Sequence, residues 1–299
     1  MMRFIDLARK NPGTLSQVFL TISLVLFVYF IGGMGLLLDY KFFTGGDLQA
    51  SEISDFTSIL GNNRVLFWLL LPFTLVFIVF LASIKWIHRR PVLSIFTGRE
   101  LFDWKRVFTS FFLIIILLSI LTGTQIFFSS TFEWNLNWGK LSVLLLIAIF
   151  MIPIQTTIEE LLFRGYLLQG LKAKLGSNKH AVILAGIFFG LIHYGNPEIE
   201  AIGNHVLLYY VASGIFLGCL ALFDNGLELS MGYHAANNVF TAIVVSNNWQ
   251  VFQTDALYID HAPPELSWFA LLFLLSLFPL LLYIFRRIYK WKSLKEYWT

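Results

Sequence analysis

The sequence predicts an all-α integral membrane protein with about eight transmembrane helices. Of its 299 residues, 57% are hydrophobic and 13% are charged, whereas soluble domains carry about 25% charged residues. The mean hydropathy is +0.73. Apolar runs long enough to cross about 30 Å of hydrocarbon recur along the chain. Helices are the expected elements there, because they satisfy their own backbone hydrogen bonds within lipid.

Eight apolar runs define the predicted spans. They lie near Ser16–Leu38, Val65–Ser83, Val107–Phe128, Leu141–Leu171, Ala181–Tyr194, Val206–Phe223, Leu227–Val245 and Leu266–Phe285. The first run is too long for the apolar part of a signal peptide and has no small-residue cleavage site after it, so it is kept as a helix. The fourth run is unusually long, which indicates a tilted helix or an extension beyond the membrane.

The distribution of Lys and Arg predicts the orientation. With the N-terminus inside, the inner segments hold Arg3, Arg9, Lys10, Lys85, Arg89, Arg90, Arg99, Lys105, Arg106, Lys172, Lys174, Lys179, Arg286, Arg287, Lys290, Lys292 and Lys295. The outer segments hold Lys41, Arg64 and Lys140. The protein is therefore expected in the cell membrane with both termini in the cytoplasm. Membrane orientation accounts for the basic flanks, so no nucleic-acid partner is predicted.

No loop is long enough for a soluble domain, so residues 1–299 are predicted to form a single polytopic membrane domain. The amphipathic stretch from Arg90 to Arg106 is expected to lie on the inner membrane surface as an interfacial helix. The lone cysteine, Cys219, excludes an intramolecular disulfide.

Ionisable residues inside spans are expensive in lipid and mark candidate functional sites. They occur on the fourth predicted helix (Glu159, Glu160 and Arg164), the fifth (His193) and the seventh (His234, with Asn238). At about 1.5 Å per residue, Glu159, His193 and Asn238 lie about 20 Å, and His234 about 15 Å, from the inner ends of their helices. This matched depth predicts a polar catalytic cavity between helices 4, 5 and 7.

Spacing within the fourth helix separates its two glutamates. Glu160 and Arg164 are at positions i and i+4 and are expected to form an ion pair. Glu159 points about 100° away around the helix and is expected to have no intrahelical partner. Glu160 is thus predicted to be structural and Glu159 chemical. His234 and Asn238 also have i, i+4 spacing, so both can face one cavity.

A carboxylate and two imidazoles in a dry cavity suit hydrolysis. Glu159 can act as a general base towards water, and N–H donors from His234 and Asn238 can stabilise an oxyanion. The same set of Glu159, His193 and His234 is alternatively a three-ligand zinc site with one position open for water. These residue types do not separate the two mechanisms. The sequence contains no HExxH, GxSxG or Walker motif.

Three motifs resemble those of the CPBP family, the CAAX proteases and bacteriocin-processing enzymes also called the Abi family. "EELLFR" (Glu159 to Arg164) is similar to the family's EExxxR motif, "FGLIH" (Phe189 to His193) to its FxxxH motif, and "HAANN" (His234 to Asn238) to its HxxxN motif. They occur in family order on separate predicted helices. The resemblance covers a core of about 141–245.

The resemblance implies an eight-helix intramembrane endopeptidase whose cavity is reached from the membrane and the cytosol. Glu159 becomes the base that activates water together with His193, and His234 and Asn238 become the oxyanion donors. Glu160, Arg164 and Phe189 are supporting residues. The expected substrate is a membrane-associated, prenylated or peptide substrate within the bilayer. We expect the mechanism without a metal cofactor, and zinc remains the alternative.

Two other functions fit parts of the sequence. One is a membrane immunity or scaffold protein that binds a membrane peptide without cutting it. The other is a proton-coupled transporter, which also uses buried Glu, His and Arg. The polar residues are not mirrored between two halves of the chain, which disfavours the transporter.

Overall fold

The computed structural model describes residues 3–10, 13–46, 50 and 52–298. In this part of the chain, each of the eight predicted spans corresponds to a helix. The α-helices are α1 (Leu15–Phe43), α2 (Ile53–Leu60), α3 (Asn62–Trp86), α4 (Trp104–Phe128), α5 (Trp138–Glu160), α6 (Leu168–Leu175), α7 (Asn178–Ile192), α8 (Pro197–Ile202), α9 (Val206–Phe223), α10 (Glu228–Val244) and α11 (Trp268–Tyr289). A π-helix, Leu161–Leu167, joins α5 to α6. Short 3-10 turns span Phe4–Lys10, Val92–Ile95, His193–Gly195 and Leu294–Tyr297.

Six helical segments within the described residues are long and apolar enough to cross a membrane: α1, α3, α4, α5 with its continuation to Leu175, α9 and α11. The helices that match the fifth and seventh predicted spans, α7 and α10, are shorter, at 15 and 17 residues. The protein is therefore an all-α, multi-pass membrane protein.

The outer surface of α4 illustrates the lipid-facing side of the bundle. Phe108, Phe112, Ile116 and Ile120 recur at i, i+4 spacing and are each more than half exposed. A continuous apolar stripe of this kind would be unfavourable in water but is the expected surface in contact with lipid tails.

Local sequence signals fix where the helices around the site begin and end. The side chain of Asn137 accepts a hydrogen bond from the backbone N–H of Lys140 (3.1 Å) and caps the start of α5. Gly176 ends α6 in the left-handed region, with φ of 73°. Ser177 then caps α7 by accepting from the backbone N–H of His180.

The central core forms where α7 packs against α9. A Cβ atom on Gly186 would lie 2.7 Å from the backbone nitrogen of Ile215. One on Gly190 would lie 2.9 Å from the Cα atom of Val211. Small residues at these two positions let the helices approach closely. The contact brings the C-terminal end of α7, and with it His193, against α9.

The stretch from Arg90 to Arg106 does not form the interfacial helix that was expected. It contains the 3-10 turn Val92–Ile95, and α4 begins only at Trp104. The reason is a buried set of ion pairs: the guanidinium of Arg99 lies 3.0 Å from carboxylate oxygens of both Asp224 and Glu228. These contacts hold the stretch against the start of α10 instead of leaving it on the membrane surface.

A small sheet at one end of the bundle was not predicted. Its strands are β1 (Phe132–Trp134), β2 (Val245–Ser246) and β3 (Tyr258–Asp260), in the order β1-β3-β2. Phe132 pairs with Asp260 in the antiparallel pair, and Val245 pairs with Tyr258 in the parallel pair. The sheet joins the loops that follow α4 and α10 at the end of the bundle opposite Lys172 and Arg99.

Candidate active site

A cavity of about 370 Å³ lies between α5, α7, α9 and α10. Its wall includes Glu159 from α5, His193 from the end of α7, and His234 with Asn238 from α10. The four residues predicted to be catalytic therefore line one space. The sequence did not indicate that α9 would form a fourth wall, which it does through residues such as Tyr210.

The Glu159 side chain is 8% exposed, and its two oxygens have different surroundings. Oε1 accepts a short hydrogen bond from the side-chain amide of Gln155. Oε2 is shielded from solvent, has no hydrogen-bond partner among the described residues, and lies 3.7 Å from Nε2 of His234. The expectation that Glu159 has no intrahelical partner was wrong, because Gln155 lies one turn earlier on the same face of α5.

Gln155 also connects two of the candidate residues. It is 4% exposed, and its Oε1 atom accepts a hydrogen bond from the side-chain amide of Asn238 (3.3 Å). A continuous polar chain thus runs from Asn238 through Gln155 to Glu159. Sequence reasoning missed Gln155, although its position four residues before Glu159 was a signal.

Glu160 and Arg164 form the ion pair that their spacing predicted. Both residues are 0% exposed, and a guanidinium nitrogen of Arg164 lies 2.8 Å from Oε1 of Glu160. The guanidinium also donates to the backbone carbonyl of Gly214 on α9 (3.2 Å) and lies 4.2 Å from the ring centroid of Phe189. Phe189 therefore supports Arg164 by a cation–π contact.

Glu160 has a second partner that the sequence did not indicate. Its Oε1 atom accepts a hydrogen bond from Nδ1 of His234 at 2.9 Å. Because a carboxylate can only accept, the proton lies on Nδ1. The other nitrogen, Nε2, faces Glu159. Glu160 thus contacts both Arg164 and one of the two imidazoles.

The backbone orients His193 in a similar way. Its Nδ1 atom lies 2.7 Å from the carbonyl oxygen of Phe189, so this nitrogen is the donor. The imidazole stacks on the ring of Tyr210, with centroids 4.4 Å apart and planes inclined by 19°. In both histidines, therefore, Nδ1 is engaged and Nε2 is the nitrogen available for chemistry.

Glu198 is a further carboxylate on the cavity wall. It lies on α8, outside the eight predicted spans. Its Oε1 atom accepts from the backbone N–H of Val251 at 3.0 Å. Burial raises the pKa of Glu198, and the hydrogen bond from Val251 partly offsets that rise.

The cavity extends towards the end of the bundle that carries the small sheet. Asn196 and Glu198 line it on one side, and Gln250, Val251 and Phe252 on another. The distribution of Lys and Arg predicts this end to be outside the cell, which differs from the cytosolic access implied by the family resemblance. Tyr29 and Phe73, on α1 and α3, complete the wall.

A metal ion was the alternative to metal-free hydrolysis. Within the described residues, no group of three or more His, Cys, Asp or Glu side chains is arranged closely enough to hold one. As placed, Glu159, His193 and His234 do not form a ligand set, so no chemical step is assigned to a metal.

The fold and the site define a class of protein: a polytopic helical membrane protein with a carboxylate, two oriented imidazoles and an amide in one membrane-embedded cavity. Residues 138–240 match the model of the Rce1-like family, described as type II CAAX prenyl endopeptidases. The match contains Glu159, His193, His234 and Asn238. It does not extend to α1, α3, α4 or α11.

A relative from Bacillus subtilis is similar over a longer stretch. The uncharacterized protein YyaK is 28% identical over 217 residues, which cover 69% of this chain and 68% of the relative. No solved structure matches the chain.

Proposed function

We propose that the protein is an intramembrane endopeptidase of the CAAX protease type, which hydrolyses a peptide bond in a membrane-associated, prenylated or peptide substrate. The observation that carries the proposal is the free Oε2 atom of Glu159, which is buried, unpartnered among the described residues and directed towards Nε2 of His234. The Rce1-like match over residues 138–240 supports the same class of enzyme.

Glu159 is the general base in this proposal. Gln155 occupies Oε1, so Oε2 is the atom that takes a proton from water. The water oxygen then forms a bond to the carbonyl carbon of the substrate. When the C–N bond breaks, the carboxyl of Glu159 returns the proton to the leaving amine. General-base catalysis of this kind contributes about 10²- to 10⁴-fold to the rate.

His193 helps to position the attacking water. Its Nδ1 atom donates to the carbonyl of Phe189, so Nε2 of the neutral ring is an acceptor. A water molecule between the two side chains can donate one hydrogen to Glu159 and the other to His193. Stacking on Tyr210 restrains the imidazole in this orientation.

His234 and Asn238 are the proposed oxyanion donors. His234 donates from Nε2 only as an imidazolium, since its Nδ1–H is directed at Glu160. In that form, the carboxylates of Glu159 and Glu160 are balanced by Arg164 and His234, so the buried set is neutral. Asn238 contributes its amide N–H, which otherwise donates to Gln155.

The shape of the site suits a substrate that enters from the bilayer. The catalytic core is taken as α5 to α10, and α1 and α3 complete the cavity with Tyr29, Leu69 and Phe73. An apolar wall beside the catalytic carboxylate can hold a lipid-soluble chain or the apolar side chains of a membrane peptide.

The test is cleavage by the purified protein in lipid nanodiscs. A library of fluorogenic peptides, with and without a prenyl group, is incubated with the wild-type protein and with Glu159→Gln. We expect cleavage by the wild type and at least about a 100-fold lower rate for Glu159→Gln, because the amide cannot accept the proton. Glu200→Gln is the matched control, since Glu200 is exposed on α8.

Two outcomes would contradict the proposal. If Glu159→Gln retained the wild-type rate, Glu159 would not be the base. If the Glu159→Gln protein still supplied the cellular function that is lost when the protein is deleted, a binding role as an immunity or scaffold protein would replace catalysis. A chelator is expected to leave the rate unchanged, and loss of activity that added zinc restores would favour the metal mechanism instead.

A further inference from the structure

A second carboxylate in the cavity is not used by the proposed chemistry. Glu198 lies on α8 and lines the same space as Glu159. Nearby, the side-chain amide of Asn196 donates to the hydroxyl of Tyr210 at 3.4 Å, and the ring of Tyr210 stacks on His193. Glu198 thus lies on the same cavity wall, and its hydrogen bond within the described residues is to a backbone N–H rather than to a proposed catalytic side chain.

The two oxygens of Glu198 are unequally satisfied. Oε1 accepts the backbone N–H of Val251 at 3.0 Å. Oε2 is shielded from solvent and has no hydrogen-bond partner among the described residues. A buried carboxylate oxygen without a donor is unfavourable unless a partner arrives.

The surroundings of Glu198 offer no compensating cation. None of the described residues that line the cavity is a Lys or an Arg. The carboxylates near the proposed catalytic residues do have such partners. Glu160 forms an ion pair with Arg164, and Glu159 faces the imidazole of His234. Glu198 is therefore the carboxylate of the cavity wall that faces no cationic or imidazole partner among the described residues.

A purely structural role does not require this charge. Anchoring the loop at Val251 uses one acceptor oxygen, and the amide oxygen of a glutamine would serve equally well. We propose that Glu198 forms a subsite that binds the ammonium or guanidinium group of a Lys or Arg side chain in the peptide substrate. This proposal rests on the proposed endopeptidase function and adds a specificity to it.

The test uses pairs of peptides that differ only by charge. Each pair has Lys or its uncharged isostere norleucine at one position on either side of the cleaved bond. The measured quantity is the ratio of kcat/KM for the Lys peptide to that for the norleucine peptide. For the wild type we expect a ratio of about 10 to 100 at one position, from the strength of a charge-assisted hydrogen bond.

Glu198→Gln keeps an acceptor for Val251 and removes the charge, so its ratio is expected to fall to about one. Glu200→Gln, an exposed neighbour on α8, is expected to keep the wild-type ratio. A wild-type ratio near one at every position would overturn the proposal. So would a Glu198→Gln protein that cleaves both peptides more slowly by the same factor, because that result indicates a structural role.

Binding measurements separate this proposal from the proposed catalysis. If the wild-type protein cleaves no peptide, the endopeptidase function fails, and fluorescence anisotropy on the Glu159→Gln protein still tests the subsite. Tighter binding of the Lys peptide, lost on adding Glu198→Gln, supports the subsite without hydrolysis. Equal affinity for the Lys and norleucine peptides overturns it.

Discussion

Gln155 donates its side-chain amide to Glu159 one helical turn further along α5, and through its oxygen it also accepts from Asn238 on α10. One buried amide thus connects the proposed base to a proposed oxyanion donor. Its position leaves the second oxygen of Glu159 free to face the cavity. The orientation of the Glu159 carboxylate thus depends on a residue outside the recognisable motifs.

Replacing Gln155 should therefore slow catalysis without weakening substrate binding. For Gln155→Leu we expect kcat to fall by about 10- to 100-fold, the value of a hydrogen bond to a charged group, with KM little changed. Steady-state kinetics on the purified protein measures both constants. Gln125→Leu, at an exposed position near the end of α4, is the control. A rise in KM alone would assign Gln155 to substrate binding.

Removal of Arg164 should destabilise the protein strongly. Arg164→Met leaves the carboxylate of Glu160 buried without its guanidinium, and losses of about 3–5 kcal/mol are typical of a broken buried pair. Denaturant titration in mild detergent measures the free energy of unfolding. The double variant Glu160→Gln with Arg164→Met should lose less of its free energy of unfolding, because it leaves no unpaired buried charge. Equal losses in the single and double variants would contradict this account.

The close approach of α7 and α9 should make Gly190 intolerant of a side chain. Gly190→Ala would place a Cβ atom 2.9 Å from the Cα atom of Val211, forcing the helices apart and displacing His193. We expect both a lower melting temperature and a lower kcat. Gly170→Ala is the matched control, because its Cβ would meet nothing within 4 Å and alanine favours a helix. Similar behaviour of the two variants would argue against the packing explanation.

His88 should make stability depend on pH. It follows the end of α3, is 2% exposed, and has Nε2 3.0 Å from the hydroxyl of Thr21 and 3.1 Å from that of Tyr166. Burial, with a smaller effect of Arg90, lowers the pKa of His88 below 6.5. Below pH 6.5 the unfolded chain binds a proton that the folded protein resists, so the free energy of unfolding should rise as the pH increases towards 6.5.

The measurement is the free energy of unfolding between pH 5 and pH 8 for the wild type and for His88→Gln. The difference between the two proteins should change with pH below 6.5 and level off above it, because glutamine does not titrate in this range. A constant difference across the range would show that the protonation of His88 is not coupled to folding.

Cysteine labelling should identify the side from which the cavity is reached. Asn248 is exposed in the loop that also carries Gln250 and Val251, and the Lys and Arg distribution predicts this loop to be outside. In a Cys219→Ala background, Asn248→Cys in intact cells should react with an impermeant maleimide. Lys174→Cys, near the C-terminal end of α6, should react only after the cells are opened. The reverse pattern would support cytosolic access.

The sequence by itself determined the helical membrane fold, the approximate positions of the long apolar helices and the residues most costly to bury in lipid. These inferences succeed because hydrophobic length and charge in a membrane are local properties that a sequence displays directly. The same is true of the Glu160–Arg164 pair, whose partners are one turn apart on one helix. The three motifs predicted a resemblance to CAAX proteases, and residues 138–240 match the Rce1-like family model.

Only the tertiary structure decided which groups meet across helices. The hydrogen bond from His234 to Glu160, the stacking of His193 on Tyr210 and the entry of Glu198 into the cavity join elements far apart in the sequence. The stretch near Arg99 was expected at the membrane surface. Instead, ion pairs with buried carboxylates at the end of α9 and the start of α10 hold it against the bundle. Such contacts depend on helix packing and on the balance of buried charge, which no single segment of sequence contains.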